Sequence, residues 1–320
     1  MTEEALVALL WRDGAVPEWI NLSVIGIDAG ATLVEVMACG RFTANDALLY
    51  HAHEGRPPFH VLGPALPPDS MRDGPGRFSL FWSVHAKDPT ALRRVLTDAA
   101  TNVRLLVVRG DWCDDTLLDE AKALTRLVSL RLEGTRVRGP GLGALSPLSL
   151  LSWTSIGADP IDLTWLRAHA SLELLHLAGE PAVLGGVEAL AALKNLTSVD
   201  VCVPSLTDLS WVRAPRLTHV DLAGTRVSDR ELRHLALLPR LRTLDLSRTP
   251  IGDEGVVAIA GVPTLWRLWL RGTAITDAAL AALQSAQKLD RLDVRGTRVS
   301  REAIERLRRA RPTLKVIAEG

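Results

Sequence analysis

One nineteen-residue pattern returns along most of this chain. "LTHVDLAGTRVSDRELRHL" starts at Leu217, "LRTLDLSRTPIGDEGVVAI" at Leu241, "LWRLWLRGTAITDAALAAL" at Leu265 and "LDRLDVRGTRVSREAIERL" at Leu289. Weaker copies start at Val103, Leu127, Leu148, Leu172 and Leu196, and a last fragment starts at Leu314. Successive starts lie 21, 24 or 25 residues apart. Self-similarity at this period restricts the fold severely. One short unit cannot bury its own apolar face, so it is stable only stacked against copies of itself around a continuous core.

The unit reads L-x-x-L-x-L-x-x-T-x-I followed by an amphipathic segment. Alternation at Leu268 and Leu270 predicts a short strand with its leucines turned inward, which puts Arg267, Trp269 and Arg271 on the open face. Leu232, Leu235 and Leu238 then recur at helical spacing. Ser228 with Glu231, and Thr276 with Asp277, read as helix N-caps with acidic first turns. Stacking the units in register predicts a central column on the open face: Val107, Arg131, Ser152, His176, Asp200, Asp221, Asp245, Trp269 and Asp293. Ser129, His219, Thr243, Arg267 and Arg291 flank it on one side, and Glu133, Cys202, Arg271 and Arg295 on the other. Like charges in register on neighbouring strands are destabilising. The run Asp200, Asp221, Asp245 therefore points to a pressure other than folding.

This pattern resembles the leucine-rich repeat family over residues 103–320. The resemblance implies an α/β solenoid, a horseshoe with a parallel β-sheet on its concave face and helices on its convex face. The family usually places asparagine at the turn after the strand. Here Thr135, Thr225, Thr249, Thr273 and Thr297 stand there, and a threonine hydroxyl can serve neighbouring backbone groups in the same way. "DLTWLRA" (162–168) and "DLSWVRA" (208–214) look like the segments of internalin-like repeats in which a short helical turn replaces a helix. Trp165 and Trp211 are expected to pack into the convex-side core.

Residues 1–100 do not follow the repeat and read as a small α/β segment that caps its open N-terminal edge, with residues 101–320 as the repeat domain. "TEEALVALLWRDG" predicts a helix, "NLSVIGIDAGATLVEVMACG" a hairpin turning at 28–30, "RFSLFWSV" a strand, and "DPTALRRVLTDAA" a helix capped by Asp88. Residues 56–76 read as a Pro/Gly-rich loop. Phe78 lies 25 residues before Val103, the spacing of one further repeat.

Chemical motifs are sparse. There is no P-loop, no G-x-S-x-G and no dinucleotide fingerprint. His51, His53, Glu54 and His60 fall close together, but no further ligand is set at regular spacing, so no metal and no cofactor is expected. His176, Asp200, His219 and Asp221 converge on the open face as a polar patch. Formal net charge is zero, with 37 basic and 37 acidic residues, which speaks against nucleic acid and anionic membrane as partners. No apolar run reaches the ~18 residues of a membrane span. Cys39, Cys113 and Cys202 are too few and too scattered for a disulfide framework and read as reduced thiols of a cytoplasmic protein. The basic C-terminus (Arg301, Arg306, Arg308, Arg309, Arg311, Lys315) reads as the polar outer face of the last helix.

The sequence thus predicts a non-catalytic, monomeric scaffold for an unidentified protein partner. The contact residues read from it are His176, Asp200, His219, Asp221, Asp245, Arg267, Trp269, Arg271, Arg291, Asp293 and Arg295. Two rival readings stay open at this level. One is an enzyme or metal-binding protein with its site near His51 and His53, the repeats selecting substrate. The other is nucleic-acid binding through the C-terminal arginines.

Overall fold

The structure is a computed structural model. It describes residues 103–318 apart from 126, 146, 156, 158, 182 and 183. Before these it describes five strand segments and residues 89–90 and 92–93. The expected helix at the N-terminus, the 56–76 loop, Asp88, and the group His51, His53, Glu54 and His60 lie outside the described residues, save for 71–72 in that loop.

In the N-terminal segment, β1 (Trp19–Asn21), β2 (Ile27–Asp28) and β3 (Thr32–Arg41) pair antiparallel, and β4 (Met71–Arg72) and β5 (Phe78–Ala86) extend them. Asp28 faces Leu33 across the expected hairpin. The repeats contribute β6 (Val103–Arg109), β7 (Ser129–Thr135) and β8 (Leu150–Ser155), with β9 (Ile161–Asp162) behind them. Next come β10 (Leu174–Ala178), β11 (Leu184–Gly185), β12 (Ser198–Cys202), β13 (His219–Asp221) and β14 (Thr243–Asp245). The last are β15 (Arg267–Trp269), β16 (Arg291–Asp293) and β17 (Lys315–Ile317). Apart from β9 and β11, which pair with each other, these strands stack in chain order into one parallel sheet. β5 joins the same sheet, parallel to β6.

The inward column is leucine and valine. Val220, Leu244 and Leu268, and one residue past the strand ends Leu222, Leu246 and Leu270, are all 0% exposed. Behind the sheet lie α1 (Asp115–Asp119), α2 (Leu232–Ala236), α3 (Asp253–Ala260), α4 (Asp277–Leu283) and α5 (Arg301–Ala310). Each turns its apolar stripe onto the sheet; Leu235, Ile259 and Leu283 are fully buried. Residues 140–144, 164–169 and 187–192 form only short 3-10 turns, and 208–214 no helix at all. The shortening expected for the two D-L-[ST]-W segments is present, and it extends to 187–192. Trp165 and Trp211 are buried there; Trp165 stacks edge-on to Trp153 at 6.0 Å, which itself takes an inward leucine position.

Two hydrogen-bond ladders recur along the solenoid, the first closing the turn within each unit and the second tying one unit to the next. Thr225, Thr249, Thr273 and Thr297 each donate the side-chain hydroxyl to the carbonyl three residues back, at 2.6–2.7 Å. On the convex side, an aspartate at the helical entry of three successive units reaches forward. Asp229 accepts from Gly252 N–H, Asp253 from Thr276 and Asp277 from Ser300, at 2.6–2.8 Å. These first-turn acids therefore satisfy the next helix's entry as well as their own dipole.

Two sequence expectations need correction. Ser228 makes no side-chain capping bond, and Glu231 accepts from Leu209 N–H instead, at 2.9 Å. The helix-free unit at 208–214 leaves that backbone donor to be served from outside. Arg311 is not on the polar outer face. It is 7% exposed and donates to the carbonyls of Ala286 (2.7 Å), Gln287 (2.9 Å) and Leu289 (3.2 Å), locking the last unit onto the loop after α4.

Candidate binding face

The open face carries the columns expected from the repeat. His176, Asp200, Asp221, Asp245, Trp269 and Asp293 are paired in register from β10 to β16. His219, Thr243, Arg267, Arg291 and Lys315 form the flanking column. Arg271 and Arg295 follow Trp269 and Asp293 by two residues and lie side by side through the bond from Gly272 N–H to Arg295 O. Backbone position and display are different matters, however. Asp293 is only 2% exposed, because the Arg295 guanidinium folds over its carboxylate with contacts of 2.6 and 3.0 Å. It is not a displayed contact residue. Val107 and Ser129, at the other end of the columns, are also covered. Beside them Glu133 pairs with Arg109 at 2.7 Å and with Arg131 at 3.1 Å.

Asp200 is held between two imidazoles. His176, directly opposite on β10, places Nδ1 3.6 Å from Oδ2; His219, diagonal on β13, places Nε2 3.3 Å from Oδ1. Burial pushes the Asp200 carboxyl up, but the two imidazoles beside it outweigh burial and bring it down to about 2. The same contact raises His219, against the effect of its burial. Asp221 shifts the other way: burial raises it, and the charges of Asp245 and Asp200 add to the rise.

The structure supplies a folding reason for the recurring aspartates that the sequence did not show. Asp221 Oδ1 accepts from Ala223 N–H at 2.8 Å, Asp245 Oδ1 from Ser247 N–H at 2.7 Å and Asp293 Oδ1 from Arg295 N–H at 3.0 Å. Each is a carboxylate turn that ends the strand by satisfying the backbone two residues on. Asp200 makes no such bond among the described residues, and its strand runs on to Cys202.

On the basic side, the Arg267 guanidinium lies 4.2 Å from the centre of the Trp266 ring, a cation–π contact. Trp266 is 42% exposed and was missed in the sequence, where it sits between strand and loop without a column of its own. Trp269 is half-buried. Among the described residues, Asp221, Asp245, Arg267, Arg271 and Arg291 take part in no ion pair. Cys202 sits among the aspartates. Burial, then the charges of Asp221 and Asp200, push its thiol up to about 12, so it is held as the unreactive thiol. Among the described residues no group of three or more His, Cys, Asp or Glu is arranged to hold a metal. Nor is any described helix long and apolar enough to cross a membrane.

Residues 239–260 match the family model described as leucine rich repeat. No curated protein matches the chain. Among solved structures, an internalin from Listeria monocytogenes superposes with a TM-score of 0.52 at 18% identity, over 73% of this chain and 71% of that one. A protein from Bacteroides fragilis gives 0.44 at 15% identity, over 72% and 69%. The plant peptide hormone receptor RGFR1 in complex with RGF2 gives 0.46 at 12% identity, over 74% and 42%. With its repeated strands in one parallel sheet and its helices behind them, the chain folds as a leucine-rich repeat solenoid and carries that family's repeat at 239–260.

Proposed function

We propose that this chain is a non-catalytic scaffold that binds a protein partner on its concave face. The observation that carries the reading is the composition of that face between β13 and β16. Two aspartates outside any ion pair lie beside a half-buried tryptophan and three arginines that are also outside any ion pair. The carboxylate turns account for the aspartates as strand terminators, but not for the tryptophan or the arginines. Aromatic and arginine side chains are the anchors that interfaces favour, because a partner can cover a large ring and engage a planar guanidinium together. In this reading residues 1–100 cap the N-terminal edge of the solenoid formed by residues 101–320. The protein works as a monomer in the cytoplasm, a compartment read from the free thiols of Cys113 and Cys202.

The test is partner capture from the source cell with three proteins: wild type, Trp269→Ala, and a convex-face variant, Val257→Ser, at a site 58% exposed on α3. Trp269→Ala is expected to weaken the captured complex by more than ~1 kcal/mol with little change in melting temperature. Val257→Ser is expected to leave binding intact. Equal loss in both variants, or unfolding of Trp269→Ala with binding retained by its folded fraction, would sink the reading.

A further inference from the structure

The face is not merely charged; its charges are ordered. Asp200, Asp221 and Asp245 occupy β12, β13 and β14, whereas Arg267, Arg291 and Lys315 occupy β15, β16 and β17. Asp293 on β16 continues the aspartate column but is covered and neutralised by Arg295, so the displayed sign changes once, between β14 and β15, and Trp269 stands at the change. Asp245 and Arg267 are diagonal neighbours across that boundary and would be expected to neutralise each other. They do not pair. The Asp245 carboxylate is turned to Ser247 N–H at 2.7 Å, and the Arg267 guanidinium is drawn over Trp266 at 4.2 Å. Local bonds thus hold the two signs apart and leave both available to something outside the chain.

We infer that the occupant of this face is a protein segment with its charges segregated in the complementary order: basic residues over Asp221 and Asp245, an apolar residue on Trp269, and acidic residues over Arg267, Arg291 and Lys315. This rests on the concave-face binding proposed above and adds the partner's chemistry to it. A polyanion such as nucleic acid would gain at the arginines and be repelled along the aspartates, and a uniformly basic segment would meet the reverse. Neighbouring strands lie ~4.8 Å apart, so β13 to β16 spans roughly 14 Å. An extended chain covers that in about four residues at ~3.3 Å each. The basic and acidic groups of the partner should therefore sit about four positions apart with an apolar residue between them.

The experiment uses the full chain and two fluorescein-labelled heptapeptides of identical composition, read by fluorescence polarisation at low and physiological salt. One is segregated, Lys-Lys-Gly-Leu-Gly-Glu-Glu; the other alternates, Lys-Glu-Gly-Leu-Gly-Lys-Glu. The segregated peptide is expected to bind roughly tenfold tighter, the sum of a few exposed charge pairs. That preference should vanish in Arg267→Glu with Arg291→Glu, provided the variant melts like wild type. Equal binding of the two peptides, no binding of the segregated one, or tighter binding of a uniformly acidic or basic heptapeptide would overturn the charge order. If the uniform peptide wins and still depends on Trp269, the charge order falls and the concave-face reading stands. That reading falls on the capture experiment with Trp269→Ala, which is independent of these peptides.

Discussion

Replacing Asp200 by Asn should change the sign of its effect on stability with pH. Asp200 faces His176 in register and His219 on the diagonal, at 3.6 and 3.3 Å, and faces Asp221 in register on its other side. Its carboxyl is lowered from 3.8 to about 2, so in the folded state it contributes stability above pH 3.8 that is lost as pH falls toward 2. His219 is raised above 6.5, so its contribution is present below 6.5 and is lost as pH rises through the folded value. Both operate together only between about pH 4 and 6.5. Lowering from 3.8 to about 2 corresponds to roughly 2.5 kcal/mol at most. The two imidazoles are 39% and 38% exposed, so solvent screening reduces this to about 1 kcal/mol. As pH rises through its folded value, His219 loses its charge, and Asp200 is left beside Asp221 with Asp245 beyond. Asparagine then removes a like-charge contact worth a few tenths of a kcal/mol. Asp200→Asn should therefore lose ~1 kcal/mol at pH 5 and lose nothing, or gain slightly, at pH 8. Urea unfolding at both pH values measures this, with an NMR titration of His219 alongside, whose pKa should fall in the variant. An equal change in stability at pH 5 and pH 8, or an unmoved His219, would refute the ion-pair account.

Two further outcomes test the frame itself. Leu246, fully buried, should lose ~2–5 kcal/mol on replacement by Ala in denaturant unfolding, the range for emptying a packed leucine site; a loss below ~1 would mean the repeat frame is misplaced. Arg311→Ala should lose ~2–4 kcal/mol by stranding buried carbonyls, while the exposed Arg309→Ala stays within ~0.5; equal effects would return Arg311 to the polar outer face.

Register was legible because two periods lock together. The strand period of two decides which side chains face out, and the 21–25-residue repeat decides which of them become neighbours. Hence the repeat pattern alone specifies every pair in the columns from His176 to Asp293. Display was not legible, because it depends on what a neighbouring side chain does after the backbone is placed. Arg295 could reach solvent or fold back onto Asp293, and only the packed geometry decides. Arg311 is similar: its sequence neighbours are exposed arginines, but it alone turns inward, toward the carbonyl-rich end of the preceding unit. The turn bonds of Asp221 and Asp245 were missed for another reason. They are made by the first residue past the inward Val220 or Leu244, a position the repeat pattern treats as free.

Those turn bonds sharpen what the aspartates can be asked to prove. An alanine at 221 and 245 would remove the carboxylate turn together with the charge, so any loss would be ambiguous. Asparagine separates the two, since its side-chain carbonyl can accept the same N–H from Ala223 or Ser247 while carrying no charge. Folding alone gives no preference for the acid at these positions. The acid in fact carries a penalty, visible in the Asp221 carboxyl, which burial and then the charge of Asp245 push up. Asp221→Asn with Asp245→Asn should therefore match or exceed wild type in melting temperature, by up to ~1 kcal/mol in stability near pH 8. If the concave face binds a partner through these charges, the same variant should associate more slowly, with the difference largest at low salt and shrinking as salt screens it. A variant that is more stable and binds just as fast at low salt would mean that the aspartates serve the strand ends alone, and that any partner grips the face through the arginines and Trp269.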